Sequence, residues 1–138
     1  MLSKILVAVD GSQYAEEAFK YTTSLAQKYE SKLLIVHVLE QPSTIGYSIS
    51  KELEKDSMQM LEKYQSKTKM LSLKSVNIIQ ARGNSVAQEI LQISDNENVD
   101  TIVVGSRGRY LASNNTILLG STSYMLTHYS KCTVIVVK

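Results

Sequence analysis

Three glycines and one carboxylate have the types and spacing to do chemistry in this chain. In residues 101–121, TIVVGSRGRYLASNNTILLGS, an apolar run stops at Gly105, Gly108 follows three positions later, and Gly120 stands beside the hydroxyls of Ser121 and Thr122. Glycine tolerates positive φ and carries no Cβ, so successive backbone N–H groups can converge on an anion. A helix opening at Gly120-Ser121 adds its positive end to the same place. The pattern predicts a phosphate cradle. The same glycines also suit a plain turn after a strand and a plain helix start.

The carboxylate is Asp10, which with Gly11 and Ser12 ends the apolar run 5–9. Beside phosphates it would be repelled without an intervening metal, so it is better suited to accept hydrogen bonds from ribose hydroxyls; the alternative is a turn or helix-cap residue. Arg107 and Arg109 could reach phosphates or simply solvate the loop. Two better-known glycine signatures are absent: GSRGRYLASNNT does not read GxGxxG and follows the fourth strand rather than the first, and no GxxxxGK[ST] occurs.

These residues need a frame. The runs 5–9, 33–38, 76–81, 101–104 and 133–137 are short, apolar and rich in Val and Ile, as strands buried on both faces are. Between them the period changes. Ala15, Ala18, Phe19, Thr22, Ala26 and Tyr29 recur at helical spacing, with Glu16 and Glu17 in the first turn, where the dipole favours them. Leu53, Ser57, Leu61, Tyr64 and Leu71 predict a long helix over about 50–71. Ser85 to Gln88 has capping-box spacing ahead of Val86, Ile90, Leu91 and Ile93, giving a helix that ends near 94, and 121–129 reads as a last helix.

Strands alternating with helices imply an α/β fold with a doubly wound parallel sheet, because right-handed crossovers carry each helix over the sheet. The ligand crevice of such a sheet lies beyond the carboxyl ends of its strands, where strand order reverses. If the first and fourth strands are neighbours there, Asp10, the cradle and His37-Val38 face one pocket.

A length of 138 residues, 43% hydrophobic, fits one domain spanning 1–138 with a sizeable core. The net charge of +2 is mild and the lysines are interspersed with glutamates, so no nucleic-acid footprint and no polybasic membrane patch is visible. One cysteine, no signal-peptide profile and apolar runs far short of a membrane span point to a cytoplasmic protein. Neither histidine, His37 or His128, has a partner at metal-ligand spacing, and His37 reads as a satisfied buried imidazole. Cys132 reads as a small core residue, and Met58, Met60, Met70 and Tyr64 as helix packing. No metal ligands and no catalytic triad or carboxylate pair emerge from spacing.

The pieces KILVAVDGS, LLIVHV, RGNSVAQEIL, VDTIVVGSRG and LLGSTSYMLTHYSKCTVIVVK together resemble the universal stress proteins over essentially the whole length. The resemblance implies a five-stranded parallel sheet of order 3-2-1-4-5, Rossmann-like, and a homodimer built through the fifth strand, Thr133 to Val137. In the nucleotide-binding branch it further implies ATP, with magnesium, held by G-x2-G-x9-G-[ST]. Carried over by position, Asp10 takes the ribose with help from Gly105. The backbone around Ala8, Val9 and Val38 frames the adenine, and Gly108, Gly120, Ser121 and Thr122 bind the phosphates, with Arg107 within reach. Two departures stand out: Arg109 to Leu119 is eleven residues where the motif has nine, and Thr133 replaces the usual proline. A non-enzymatic ATP-binding regulatory module is the leading expectation. The alternatives are an ATP-hydrolysing or phosphoryl-transferring enzyme and a dimeric interaction protein that has lost nucleotide binding.

Overall fold

The computed structural model describes residues 1–40, 46–107 and 119–138. The elements in order are β1 (Lys4–Ala8), α1 (Gln13–Tyr29), β2 (Lys32–Glu40), α2 (Tyr47–Lys67), β3 (Ser75–Gly83), α3 (Val86–Asn96), β4 (Thr101–Gly105), α4 (Ser121–Tyr129) and β5 (Thr133–Val137). The strands form one parallel sheet of order β3-β2-β1-β4-β5. The continuous apolar runs follow from that arrangement, because both faces of the central strands are covered. Odd positions of β1 and β2, among them Ile5, Val7, Leu33 and Ile35, pack with Ala15, Ala18 and Phe19 of α1 and Leu61 and Tyr64 of α2. Even positions, Leu6, Leu34 and Val36, pack with Ala87 and Ile90 of α3 and Leu126 of α4.

Local chemistry sets the helix limits. Ser12 caps α1 by accepting from the Ala15 N–H, and Ser85 caps α3 by accepting from the Gln88 N–H, at the capping-box position expected. The second helix starts and stops one turn earlier than its apolar spacing predicts. Gly46 serves as its N-cap, and at its end the Thr68 hydroxyl bonds the Gln65 carbonyl at 2.6 Å while the chain turns. Leu71 therefore lies in the turn beyond the helix and not on its buried face. Tyr29, expected on the apolar face of α1, is the last residue of that helix and is exposed. On α3, Ala87, Ile90 and Ser94 take the buried positions, and Val86, Leu91 and Ile93 flank them half-buried.

A charged and aromatic clamp joins α1 to α2. Lys67 Nζ lies 2.7 Å from Glu16 Oε1 and 5.3 Å from the centre of the Tyr64 ring, and that ring sits 4.8 Å from Phe19. The Lys67 hydrogen bond holds the Glu16 carboxyl below its usual range. Burial, followed by the charge of Glu16, pushes the Tyr64 hydroxyl up, and Asp10 adds to the same effect.

Candidate functional site

Strand order reverses between β1 and β4, since β1 leads by way of α1 to β2 on one side and β4 leads by way of α4 to β5 on the other. At the carboxyl end of β1, the Val9 N–H donates to the Val36 carbonyl at 2.9 Å and the chain then leaves the sheet. Asp10 Oδ1 accepts from the Ser12 N–H at 2.9 Å, over a Gly11 held at φ 83°. Asp10 is thus the turn residue that one reading of the sequence proposed, and the same turn holds it half-buried at the carboxyl end of β1.

The Val9–Val36 bond also fixes the direction of the next peptides along β2. Main-chain groups alternate sides along a strand, so if Val36 presents its carbonyl to β1, Val38 presents its N–H and C=O to the same side. β1 has departed by that level, its last register partner being Ala8 opposite Val36. Val38 therefore turns a donor and an acceptor toward the side that β1 has left, while its side chain packs among α3 and α4 residues.

Gly105, the last residue of β4, has a packing role that its sequence context does not reveal. Among the described glycines Gly11 alone has positive φ. A Cβ on Gly105 would lie 2.8 Å from both the carbonyl carbon and the oxygen of Tyr14, so the missing side chain makes room for the first turn of α1. Ser106 then ties three elements together. Its N–H donates to the Val137 carbonyl at 2.8 Å, and its own carbonyl accepts from the Gly120 N–H at 2.7 Å and from Ser123 Oγ at 2.9 Å. Neither Ser106 nor Ser123 stood out in the sequence, although a serine directly after an apolar strand is the available signal. Arg107 follows, half-buried, and Gly108 lies outside the described residues.

Gly120 caps α4 at φ −74° and ψ 171°, a conformation open to any residue, and contributes no side-chain cap. With its N–H committed to Ser106, its place in a cradle is as a residue without a Cβ and not as a donor. The N–H groups of Ser121, Thr122 and Ser123 belong to the first helical turn, where no intrahelical carbonyl can receive them. That is the positive end expected to face an anion. Gly105 sits against Tyr14 of the first turn of α1, and Ser106 next to it is bonded to Gly120, so the start of α1, the end of β4 and the start of α4 are tied together.

The model of the universal stress protein family matches residues 1–138. The chain belongs to that family. It is 30% identical to universal stress protein YxiE of Bacillus subtilis over 152 aligned residues, covering the whole of both chains. A universal stress protein of Thermus aquaticus is 31% identical over 142 residues, again with both chains fully covered. The solved structure of the hypothetical protein MJ0577 superposes with a TM-score of 0.89 at 26% identity, over 100% of this chain and 96% of that one. Two more distant structures with the same fold carry nucleotides: a universal stress protein in complex with cAMP (TM-score 0.76, 19% identity, 98% and 95% covered) and one from Archaeoglobus fulgidus in complex with dAMP (TM-score 0.70, 18% identity, both chains fully covered).

His37 and Cys132 of this universal stress protein have structural partners. His37 Nδ1 lies 2.6 Å from Ser57 Oγ, so the half-buried imidazole is satisfied as expected. Cys132 packs against the cluster of α3 and α4 with its sulfur 3.3 Å from Ser130 Oγ. Tyr64 is buried on α2, whereas Met70 lies beyond the helix, exposed. Among the described residues no group of His, Cys, Asp or Glu gathers to hold a metal ion, and no helix is long and apolar enough to cross a membrane.

Proposed function

We propose that the crevice between β1 and β4 binds ATP and that this universal stress protein works as a regulatory module, its occupied surface being what a partner reads. The observation that supports this reading most is that Asp10 follows β1 and the open first turn of α4 is tied to the end of the neighbouring β4 through Ser106 and Gly120, at the point where strand order reverses. Asp10 would accept from the ribose, the main chain of Ala8, Val9 and Val38 would frame adenine, and Ser121 and Thr122 would donate to phosphate, with Gly105, Arg107, Gly108 and Gly120 completing the surround. The fold shared with the cAMP and dAMP complexes is in keeping with an adenine ligand. Magnesium would enter as the counter-ion of the triphosphate, and no protein ligand is assigned to it. Hydrolysis would need a group that positions water in line with the γ-phosphate. Asp10, already accepting from Ser12, is assigned to ribose in this reading, and the module is read as non-enzymatic.

The test is calorimetric titration of nucleotide-free protein with ATP and magnesium, alongside a turnover assay. Binding at micromolar affinity or weaker, with negligible phosphate release, is the expected result; no heat and no thermal stabilisation at millimolar ATP defeats the reading. Asp10→Ala should weaken binding by about ten- to a hundredfold, the equivalent of about 1.5–3 kcal/mol for a hydrogen bond to a charged group. Wild-type affinity in that variant would remove Asp10 from the site. A second reading, an interaction protein without nucleotide, is favoured by one observation: Tyr14 accounts for Gly105 without any ligand.

The partner closest to hand is a second copy of this chain. β5 is an edge strand, and Val134, Ile135, Val136 and Val137 remain half-buried. An apolar edge left unpaired invites pairing with another strand. Val136→Lys should convert a dimer into a monomer or a precipitate in sedimentation velocity, with circular dichroism to verify folding. A variant dimer as stable as the wild type would place the interface elsewhere.

A further inference from the structure

The carboxyl ends of β2 and β3 are held down by α2 through polar contacts in an otherwise apolar layer. Glu54 carries two of them, its carbonyl accepting from Gln80 Nε2 at 2.8 Å and its carboxylate pairing with Arg82, both residues of β3. The only one to β2 among those described is His37 Nδ1 to Ser57 Oγ at 2.6 Å, and Ser57 is buried. His37 precedes Val38, and the two side chains take opposite faces of the sheet, as neighbours in a strand do. At this level β2 has β3 on one side, with His37 opposite Gln80 and Val38 opposite Ala81, and on the other side β1 has left. The strand carrying the Val38 peptide is therefore braced by a neighbour on one edge only. Toward α2 the His37–Ser57 bond restrains it, beside the apolar packing of Val38 against α3 and α4 on the other face. A serine hydroxyl both donates and accepts, so this bond forms with either neutral tautomer of the imidazole.

We propose that His37 and Ser57 are positioning residues for base recognition: their hydrogen bond holds the end of β2 so that the Val38 N–H and C=O meet the edge of the base. The inference rests on the nucleotide reading above and adds that base discrimination depends on this pair. A donor and an acceptor side by side match adenine, which offers ring N1 as acceptor and its 6-amino group as donor. Hypoxanthine replaces that amino group by a carbonyl and protonates N1, reversing both.

The experiment measures affinities for ATP and inosine triphosphate, with thermal melts, in wild type, Ser57→Ala, His37→Ala and His37→Asn. Wild type should prefer ATP by about tenfold or more, since a site built to pair polar groups rejects the analogue that leaves them unmatched. Ser57→Ala, a one-atom deletion that leaves the ring in place, and His37→Ala should each weaken ATP binding by about fivefold or more and draw the ATP-to-ITP ratio toward one. His37→Asn, whose amide can reach toward Ser57, should restore most of the ratio. A brace with no bearing on the base would lower melting temperatures and leave affinity and ratio at wild-type values, which overturns the inference. If His37→Ala does not fold, Ser57→Ala decides. No ATP binding by wild type defeats the nucleotide reading itself, whereas a binding wild type with unaltered variants defeats this inference alone.

Discussion

Gly105→Ala should lower the stability of the protein by about 1–3 kcal/mol, the usual cost of forcing an extra carbon into a packed interior. The new Cβ would fall 2.8 Å from the Tyr14 carbonyl carbon and oxygen and 2.9 Å from Tyr14 Cβ. Backbone in the first turn of α1 cannot swing aside as a side-chain tip can, so helix and strand must separate. That turn carries Ser12, the cap of α1, and begins at Asp10, so nucleotide affinity should fall with stability. Gly83→Ala provides the contrast. Its Cβ would come even closer to its neighbours, meeting Oε1, Cγ and Cδ of Glu89, but these belong to a flexible side chain that can rotate away as a whole. Urea denaturation of both variants checks the argument: Gly105→Ala should lose a large part of the transition midpoint and Gly83→Ala little. Equal losses would mean that closeness alone, and not the mobility of the atom met, sets the cost.

Gly120→Val should reduce ATP affinity by more than about a hundredfold, which corresponds to about 2.8 kcal/mol. The backbone conformation at Gly120 is accessible to valine, so the bond from its N–H to Ser106 can persist and the chain can still enter α4. Two methyl groups would then stand at the mouth of the first turn, between a phosphate and the N–H groups of Ser121 and Thr122. Valine is also a poor N-cap, and a stability loss of about 1 kcal/mol should accompany the substitution. Titration at a temperature well below the melting transition separates the two effects. A folded Gly120→Val variant that binds ATP as wild type does would show that phosphate does not approach this turn.

The sheet order, with β5 at the edge and β1 beside β4, is the one the family resemblance implied, whereas the alternation of strands and helices was legible in the residues themselves. Five apolar runs separated by helical periods leave a parallel sheet as the only economical arrangement, because strands with both faces covered need no alternation of polar residues. Ser12 and Ser85 announce helix starts through hydrogen bonds of three residues' span, and local bonds are visible in a local string. The limits of α2 were less legible. Leu71 continues the apolar spacing, but Thr68 satisfies the Gln65 carbonyl and the chain turns first.

What the amino-acid string determined by itself is the α/β alternation, the family, and the presence of a carboxylate and glycines after β1 and β4. Tertiary structure alone decided what those residues face. Gly105 makes room for Tyr14, a residue 91 positions earlier, because β1 and β4 become neighbours only when the sheet assembles. Gly120 gives its N–H to Ser106, which stands at the end of β4, so the free N–H groups of α4 begin at Ser121. Val38 offers its peptide to the side that β1 has left, because β1 ends where it does, and no side-chain type records which edge of a strand is left uncovered. Residue types report what a group can do; the space around it is set by segments far away in the chain, and that space decides which of those abilities is used.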